Sequence, residues 1–381
     1  MYKDDNKNLI FAACCIGLAF FGVTMLALGP VLSQLGEGAN ALPATLSVGI
    51  IMSTVIFGPI ADKFGYKWLL IIGLAMALSG IQGLANLINI SLLHVSVLML
   101  GAGGGILNGA TNALVSEIYD DKTRGGRLGI LQAFYCIGAL LWTLLNYFID
   151  GKFTLPLNYI SVIMLGALIF FFAIPFPKPK PHATVSMAKM FNLLKYPSLI
   201  LFAFMLFFQS GFDGITGNFT VQFLENTQGI TTNAAMLSLT WFMTGMLVGR
   251  LLLGFLMRRM SAIRTMYLYL TVALIGIALL TVCVVLPVTP SVSLIYIATA
   301  LMGGGASATF PVVFNYMGGA FKELSGTAFS IAIFIAFCGL FIFNKITGVL
   351  FDKAQFDYFP AIMAFAIVMV MILLPIAKRK L

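Results

Sequence analysis

Charge is what this 381-residue chain has least of: Asp, Glu, Lys and Arg make up 9% of it, against about 25% in an ordinary globular domain. So little charge cannot coat a soluble surface. With 60% of residues hydrophobic, the unbroken apolar runs match the thickness of a bilayer rather than a protein core. Histidine is nearly missing: His94 and His182 stand far apart, and neither has a histidine partner. The five cysteines, Cys14, Cys15, Cys136, Cys283 and Cys338, all lie in apolar segments without disulfide or metal-ligand spacing, and read as small packing residues. No metal site and no cofactor are expected. A membrane-embedded enzyme acting on lipid or isoprenoid substrates would need convergent acids or histidines. Only one acid, Asp213, lies deep inside an apolar segment, so the chain is not read as an enzyme. Gly103-Gly104-Gly105 lacks the lysine and the strand–helix context of a phosphate loop, and reads as a place where helices approach closely.

Twelve apolar runs are long enough to span, beginning near Leu9, Leu42, Trp68, Leu92, Leu128, Leu157, Ser198, Ala234, Ile263, Ser291, Gly326 and Phe359. The first is too long for a signal-peptide core and has no cleavage site behind it, so it reads as a helix. The net charge of +9 reports topology rather than a nucleic-acid partner. If Met1 is cytoplasmic, the inner segments hold 18 of the 22 basic residues, while the outer loops hold only Lys152 and Lys353. This positive-inside bias puts both termini in the cytoplasm of a multi-pass cell (inner) membrane protein. Arg250 and Lys345 fall near span ends and read as snorkelling to the interface.

The long polar interruption at 175–197 divides six spans from six, predicting bundles at 1–176 and 198–381 joined by a cytoplasmic loop at 177–197. The prolines at its start make it stiff; its middle, 186–195, has the pattern of a basic amphipathic surface helix. The halves repeat at offsets near 200 residues: Gly103-Gly104-Gly105 with Gly303-Gly304-Gly305, Gly138 with Gly339, Gly58 with Gly254. Six spans is an even number, so the repeats run parallel. The expected fold is an all-α membrane protein with twelve transmembrane helices in two pseudo-symmetric six-helix bundles, its site near mid-membrane where the repeats meet.

Between the second and third spans stands Gly58-Pro59-Ile60-Ala61-Asp62-Lys63-Phe64-Gly65-Tyr66-Lys67. It resembles the signature loop of the major facilitator superfamily, G-x-x-x-D-[RK]-x-G-[RKY]-[RK]. The residue chemistry agrees: Gly58 admits a close helix, Asp62 suits a helix N-terminus or a basic partner, and Gly65 permits a tight turn. The resemblance implies that Gly58, Asp62, Lys63, Gly65 and Lys67 form a conformational latch. At the matching place in the second half Arg258 replaces the aspartate, so no second latch of that charge pattern is expected.

Within that superfamily the chain resembles the fucose:proton symporter branch. The stretch from Gly101 to Val115, with Gly103, Gly104, Gly105, Asn108 and Asn112, then Arg127-Leu128-Gly129-Ile130-Leu131-Gln132-Ala133-Phe134, looks like that branch's G-x-G-x-x-x-x-x-x-x-N-P followed by R-L-N-L-x-Q-x-F. Phe310-Pro311-Val312-Val313-Phe314 is similar to F-P-T-I-F, and Ser210-Gly211-Phe212-Asp213 to Y-V-G-x-E. The departures matter. Span 1 has no acid, Asn108 stands where the branch has its span-4 glutamate, and Ala113 replaces the proline. Coupling at those two acidic places is therefore absent. Either Asp213 carries it alone, or transport is uncoupled or uses Na⁺ by another route.

Asp213 is expensive: a carboxylate at membrane depth costs about 2.5–3.5 kcal/mol on insertion scales. A chain keeps one where it faces a cavity, a proton path or an ion, or else where it bonds a neighbouring helix. Helical spacing adds a candidate lining. Asn108 and Asn112 share a face, as do Gln132, Tyr135, Trp142 and Asn146, and as do Gln209, Asp213, Thr216 and Thr220. Thr240, Trp241 and Thr244 cluster in span 8, and Asn315 follows the Phe310-Pro311 motif. Amides and hydroxyls bond sugar hydroxyls in both directions, and aromatic rings cover a pyranose face. The same amides also serve inter-helix bonding in membranes.

The candidate substrate-binding residues are thus Asn108, Asn112, Gln132, Tyr135, Trp142, Asn146, Gln209, Trp241 and Asn315, with Asp213 for coupling. The expected partners are a small-molecule substrate, H⁺ or Na⁺, and the lipid bilayer, with the protein a monomer. The resemblance implies a secondary transporter of a monosaccharide or similar solute working by alternating access. An efflux transporter for drugs or metabolites and a solute sensor built on the same fold are the rivals.

Overall fold

The computed structural model describes residues 4–35, 38–86, 89–119, 121–149, 154–176, 195–285, 292–320 and 325–379. Within them the chain forms helices and no strand: α1 Asp4–Leu26, α2 Leu42–Phe64, α3 Tyr66–Asn86, α4 Ile90–Ile118, α5 Asp121–Phe148, α6 Thr154–Ala173, α7 Pro197–Gln228, α8 Thr232–Arg259, α9 Ala262–Val285, α10 Val292–Ala306, α11 Thr309–Ala320, α12 Ser325–Asp352 and α13 Tyr358–Arg379. Two short 3₁₀ turns, Leu32–Gln34 and Ala39–Ala41, lie between α1 and α2. Helices are the solution that lipid allows, because each backbone N–H and C=O must find its partner within the segment. Eleven spans are long and apolar enough to cross, α10 and α11 together forming one of them, Val292–Met317. The twelfth is α2, whose apolar stretch runs to Val55. The expected loop at 177–197, with its surface helix, falls almost wholly outside the described residues.

The ends are marked by local chemistry. Asn89 caps α4 by accepting from the Ser91 and Leu92 N–H groups, and Thr231 caps α8 by accepting from Ala234. Gly229 ends α7 with φ 59°, and Gly65 turns α2 into α3 with φ 78°, a backbone region that side chains other than glycine's avoid.

Contact clustering gives two units: Met1–Gln34 with Thr45–Thr184, and Leu35–Ala44 with Val185–Leu381. In the first, α1 packs on α5, α3 on α4, and α3 on α6. In the second the same pairings recur as α7 on α12, α9 on α10, and α9 on α13. The glycines enforce this repeat. A Cβ on Gly138 of α5 would strike the Ala19 carbonyl of α1; one on Gly339 of α12 would strike the Phe207 carbonyl of α7. Each half thus uses one glycine to seat the same pair of helices. Gly254, by contrast, faces open space, so its match with Gly58 carries no close packing in the second half.

One span breaks the symmetry. Helix α4 runs unbroken through its three glycines, whereas its counterpart stops at Ala306 and restarts at Thr309. Pro311 accounts for the difference: it has no N–H to give to the carbonyl four residues back, and its ring crowds that carbonyl. The Ser307 hydroxyl turns back to the Gly304 carbonyl at 2.7 Å and closes the broken end. In the first half Ala113 stands where the branch has a proline, and the helix continues.

Candidate functional site

In the first unit, α4 and α5 place three amides in one chain of hydrogen bonds. The Gln132 Nε2 donates to Asn112 Oδ1 at 3.1 Å, and Asn112 Nδ2 donates to the Asn108 carbonyl at 2.9 Å and to Asn108 Oδ1 at 3.1 Å. All three are half-buried. The relay is uncharged and directional, each carboxamide giving through its nitrogen to an oxygen of the next. Tyr135 lies one turn beyond Gln132, its ring tilted against Phe21 of α1 at 5.6 Å. This surface offers hydroxyl and amide groups rather than charge.

Further along the same face of α5 the character changes. Trp142 is fully enclosed, and its indole N–H donates to the Leu26 carbonyl at 2.9 Å, closing the end of α1. Asn146 is equally enclosed and donates to the Trp142 carbonyl at 2.8 Å. Both side chains are committed to packing in this structure. The four residues share one helical period; what separates them is burial, Gln132 and Tyr135 being half-buried and Trp142 and Asn146 enclosed.

In the second unit, Asp213 of α7 accepts from Gln209 Nε2 at 2.9 Å. Gln209 itself is fully buried, and its Oε1 has no hydrogen-bond partner. The guanidinium of Arg250, from α8, lies within electrostatic reach of the carboxylate, and its Nε is buried without a hydrogen-bond partner. This corrects the snorkelling expectation for Arg250. Helix α8 continues through an apolar stretch to Arg258 and Arg259, which take the interfacial place instead, so Arg250 sits well inside.

Helix α11 adds a residue that periodicity did not single out. Phe202 of α7 stacks on Tyr316 of α11 at 5.9 Å and 10°, and the two helices, odd and even spans, run in opposite directions. Two turns up α7 from Phe202 is Gln209; two turns back along α11 from Tyr316 is Thr309. Thr309 is fully buried and its hydroxyl also lacks a partner. The signal available in the sequence was Pro311, which locates the break beside which Thr309 sits.

The remaining expected residues are dispersed. Trp241 is 43% exposed and stacks on Tyr296 of α10 at 6.5 Å. Asn315 is exposed on α11. Thr216 is spent on the Phe212 carbonyl at 2.7 Å. Gly58, Asp62 and Lys63 lie in the last turns of α2, where side chains are outside the described residues. Lys67 donates to the Phe172 and Ile174 carbonyls at 2.7 and 3.2 Å, which caps α6, and Tyr66 donates to Glu117 at 2.6 Å. These bonds tie the ends of α3, α4 and α6 together within the first unit.

Among known proteins, the family model described as Major Facilitator Superfamily matches residues 9–280. A putative niacin/nicotinamide transporter of Bacillus subtilis is 28% identical over 167 residues, 43% of this chain and 40% of that one. A multi-drug resistance efflux pump of Streptococcus pneumoniae is 30% identical over 188 residues, 46% and 47% of the two chains. These matches span under half of each relative's length. Among solved structures, a D-xylose-proton symporter superposes with a TM-score of 0.79 at 15% identity, over 98% of this chain and 97% of that one. The transporter FucP in its outward conformation does so with a TM-score of 0.67 at 18% identity, over 96% and 98%.

Proposed function

The chain belongs to the Major Facilitator Superfamily, and from that premise we propose that it is a secondary transporter of a small neutral polar solute, a monosaccharide, in the cytoplasmic membrane. The observation that carries this is the amide relay Gln132–Asn112–Asn108: three half-buried carboxamides, bonded in series with no ion among them. A sugar hydroxyl both gives and takes a hydrogen bond, as a carboxamide does, so the chemistry of the relay suits it. An apolar wall with few polar groups is the usual construction of such a site. Likeness in fold to a D-xylose-proton symporter is consistent with it.

Coupling belongs to Asp213. It is a half-buried carboxylate held by one amide donor, with Arg250 as its counter-charge, and exchange of a proton or Na⁺ there changes the charge of the second unit at membrane depth. Both termini lie in the cytoplasm in this reading, following the basic residues. Export of drugs or metabolites is the second reading, favoured by the 30% identity to a multi-drug efflux pump.

A thermal-shift screen of the purified full-length protein separates them. The probes are L-fucose, D-xylose, amino sugars and lipophilic cations, each at two pH values and with or without Na⁺. A monosaccharide should raise the Tm of the wild type, and Asn112→Ala should abolish that shift. Asp213→Asn should keep the sugar response and lose its dependence on pH or Na⁺. Silence toward every sugar together with stabilisation by lipophilic cations would overturn the importer reading in favour of the exporter.

A further inference from the structure

On the side of the N-terminus the two halves of the sequence treat charge differently. In the first half Asp4, Asp5, Asp62, Glu117, Asp120 and Asp121 stand among the basic residues of the span ends. In the second half no acid stands between Glu225 and Glu323, or beyond Asp357. The span ends in those acid-free stretches carry Arg258, Arg259, Arg264 and Arg379, all four exposed. A positive-inside bias asks for basic residues. It does not ask one half to leave the acids out.

The four arginines lie at one end of the second unit. Arg258 and Arg259 close α8, Arg264 follows in the first turn of α9, and Arg379 closes α13. These are the eighth, ninth and twelfth spans, so by parity all three ends fall on the side of the N-terminus. Helix α9 joins the other two: only Met260 and Ser261 separate it from α8, and its Tyr267 hydroxyl donates to the Met371 carbonyl of α13 at 3.3 Å. Among the described residues no carboxylate is bonded to any of the four arginines.

On each of these helices an exposed apolar stripe ends in arginine. Leu252 and Phe255 lead to Arg259, Ile275 and Leu268 lead to Arg264, and Ile372 and Ile376 lead to Arg379. The spacings of three, four and seven keep each set on one helical face. The Arg259 guanidinium lies over the Phe255 ring, 4.4 Å from its centroid, so the charge rests on the stripe itself. Such a surface complements an amphiphile. A guanidinium fork matches a phosphate in two-point bonding, and hydrocarbon chains cover the apolar stripes. A soluble anion would meet only the charges and leave the stripes bare.

We propose that the ends of α8, α9 and α13 form a binding site for an anionic phospholipid, its phosphate on Arg258, Arg259 and Arg264 with Arg379 beside them, and its acyl chains along the three stripes. The lipid comes from the inner leaflet if the termini are cytoplasmic. The site needs neither the sugar assignment nor the direction of transport.

The test offers the purified full-length protein in detergent equal amounts of phosphatidylglycerol and phosphatidylcholine, and counts the bound lipids by native mass spectrometry. Phosphatidylglycerol should be favoured by about fivefold, what one basic residue contributes near an anionic headgroup. Equal binding of the two lipids by the wild type overturns the site, and that reading needs no variant. Arg258→Gln, Arg259→Gln and Arg264→Gln made together should bring the ratio down to about one. Lys178→Gln, Lys180→Gln and Lys189→Gln remove the same formal charge from the central segment and should leave the ratio unchanged. An equal fall in both variants makes the preference a matter of total charge and overturns the site. Glycerol 3-phosphate is the last probe: if it displaces phosphatidylglycerol at millimolar concentration, the arginines take a free phosphate and the lipid assignment falls. Retention of the lipid through that challenge supports it.

Discussion

Asn112 and Trp142 both came from helical stripes of polar and aromatic residues, yet they face opposite tests. Asn112 sits in the middle of a half-buried relay, so Asn112→Ala should weaken substrate binding by about tenfold, the worth of one lost hydrogen bond of roughly 1.4 kcal/mol, with little change in Tm. Trp142→Phe should do the reverse. It strips the indole N–H from a buried carbonyl and should cost about 1–3 kcal/mol of stability, read as a lower Tm in detergent, with affinity unchanged. Asp213→Asn removes the exchangeable charge while keeping the shape and the bond to Gln209. It should abolish accumulation against a gradient and leave counterflow in proteoliposomes intact; undiminished accumulation would remove Asp213 from coupling. Lys67 belongs to both kinds of argument. Its motif implies a latch, but its ammonium caps α6, so Lys67→Met should lower stability by about 1 kcal/mol through the lost helix-end charge and bonds.

At the scale of the element the informative pair is α4 and its broken counterpart, α10 with α11. Three glycines stand at matching places in both, so glycine does not break the second. The difference is Pro311 against the uninterrupted register around Ala113. Ala113→Pro should therefore interrupt α4 just beyond Asn112 and cost about 3 kcal/mol or more, and it should carry Asn112 away from Gln132. Pro311→Ala should restore a continuous span and raise the Tm while slowing turnover, because it removes the break at 307–308 from the tenth span. A Pro311→Ala protein with unchanged Tm and transport would show the break to be incidental. The seams between elements are equally specific: Gly138→Leu pushes α5 off the Ala19 carbonyl of α1, an overpacking of about 1–3 kcal/mol.

Over the whole molecule, the basic residues predict orientation. A cysteine placed at Ser186 should react with an impermeant maleimide only after the membrane is opened, and one at Lys353 should react from outside in intact cells; the opposite pattern would invert the topology. Much of the fold was legible for a simple reason. Lipid forbids unsatisfied backbone, so length and hydropathy alone locate the spans. The glycine repeat carried the pseudo-symmetry as well, since a missing Cβ marks where two backbones touch. The Gln132–Asn112–Asn108 stripes were visible as polar residues on helical faces. The sequence alone thus determined the membrane class, the helix inventory, the parallel repeat and the place of one costly carboxylate, because each depends on local composition or on spacing along one helix. Tertiary structure decided which polar residues are half-buried and which are sealed, as with Gln132 and Trp142 on one face of α5. It also brought Arg250 toward Asp213, stacked Tyr316 on Phe202, and seated residues 39–44 on α12. Those facts depend on which helix covers which face, and that is a property of side chains hundreds of residues apart meeting in space.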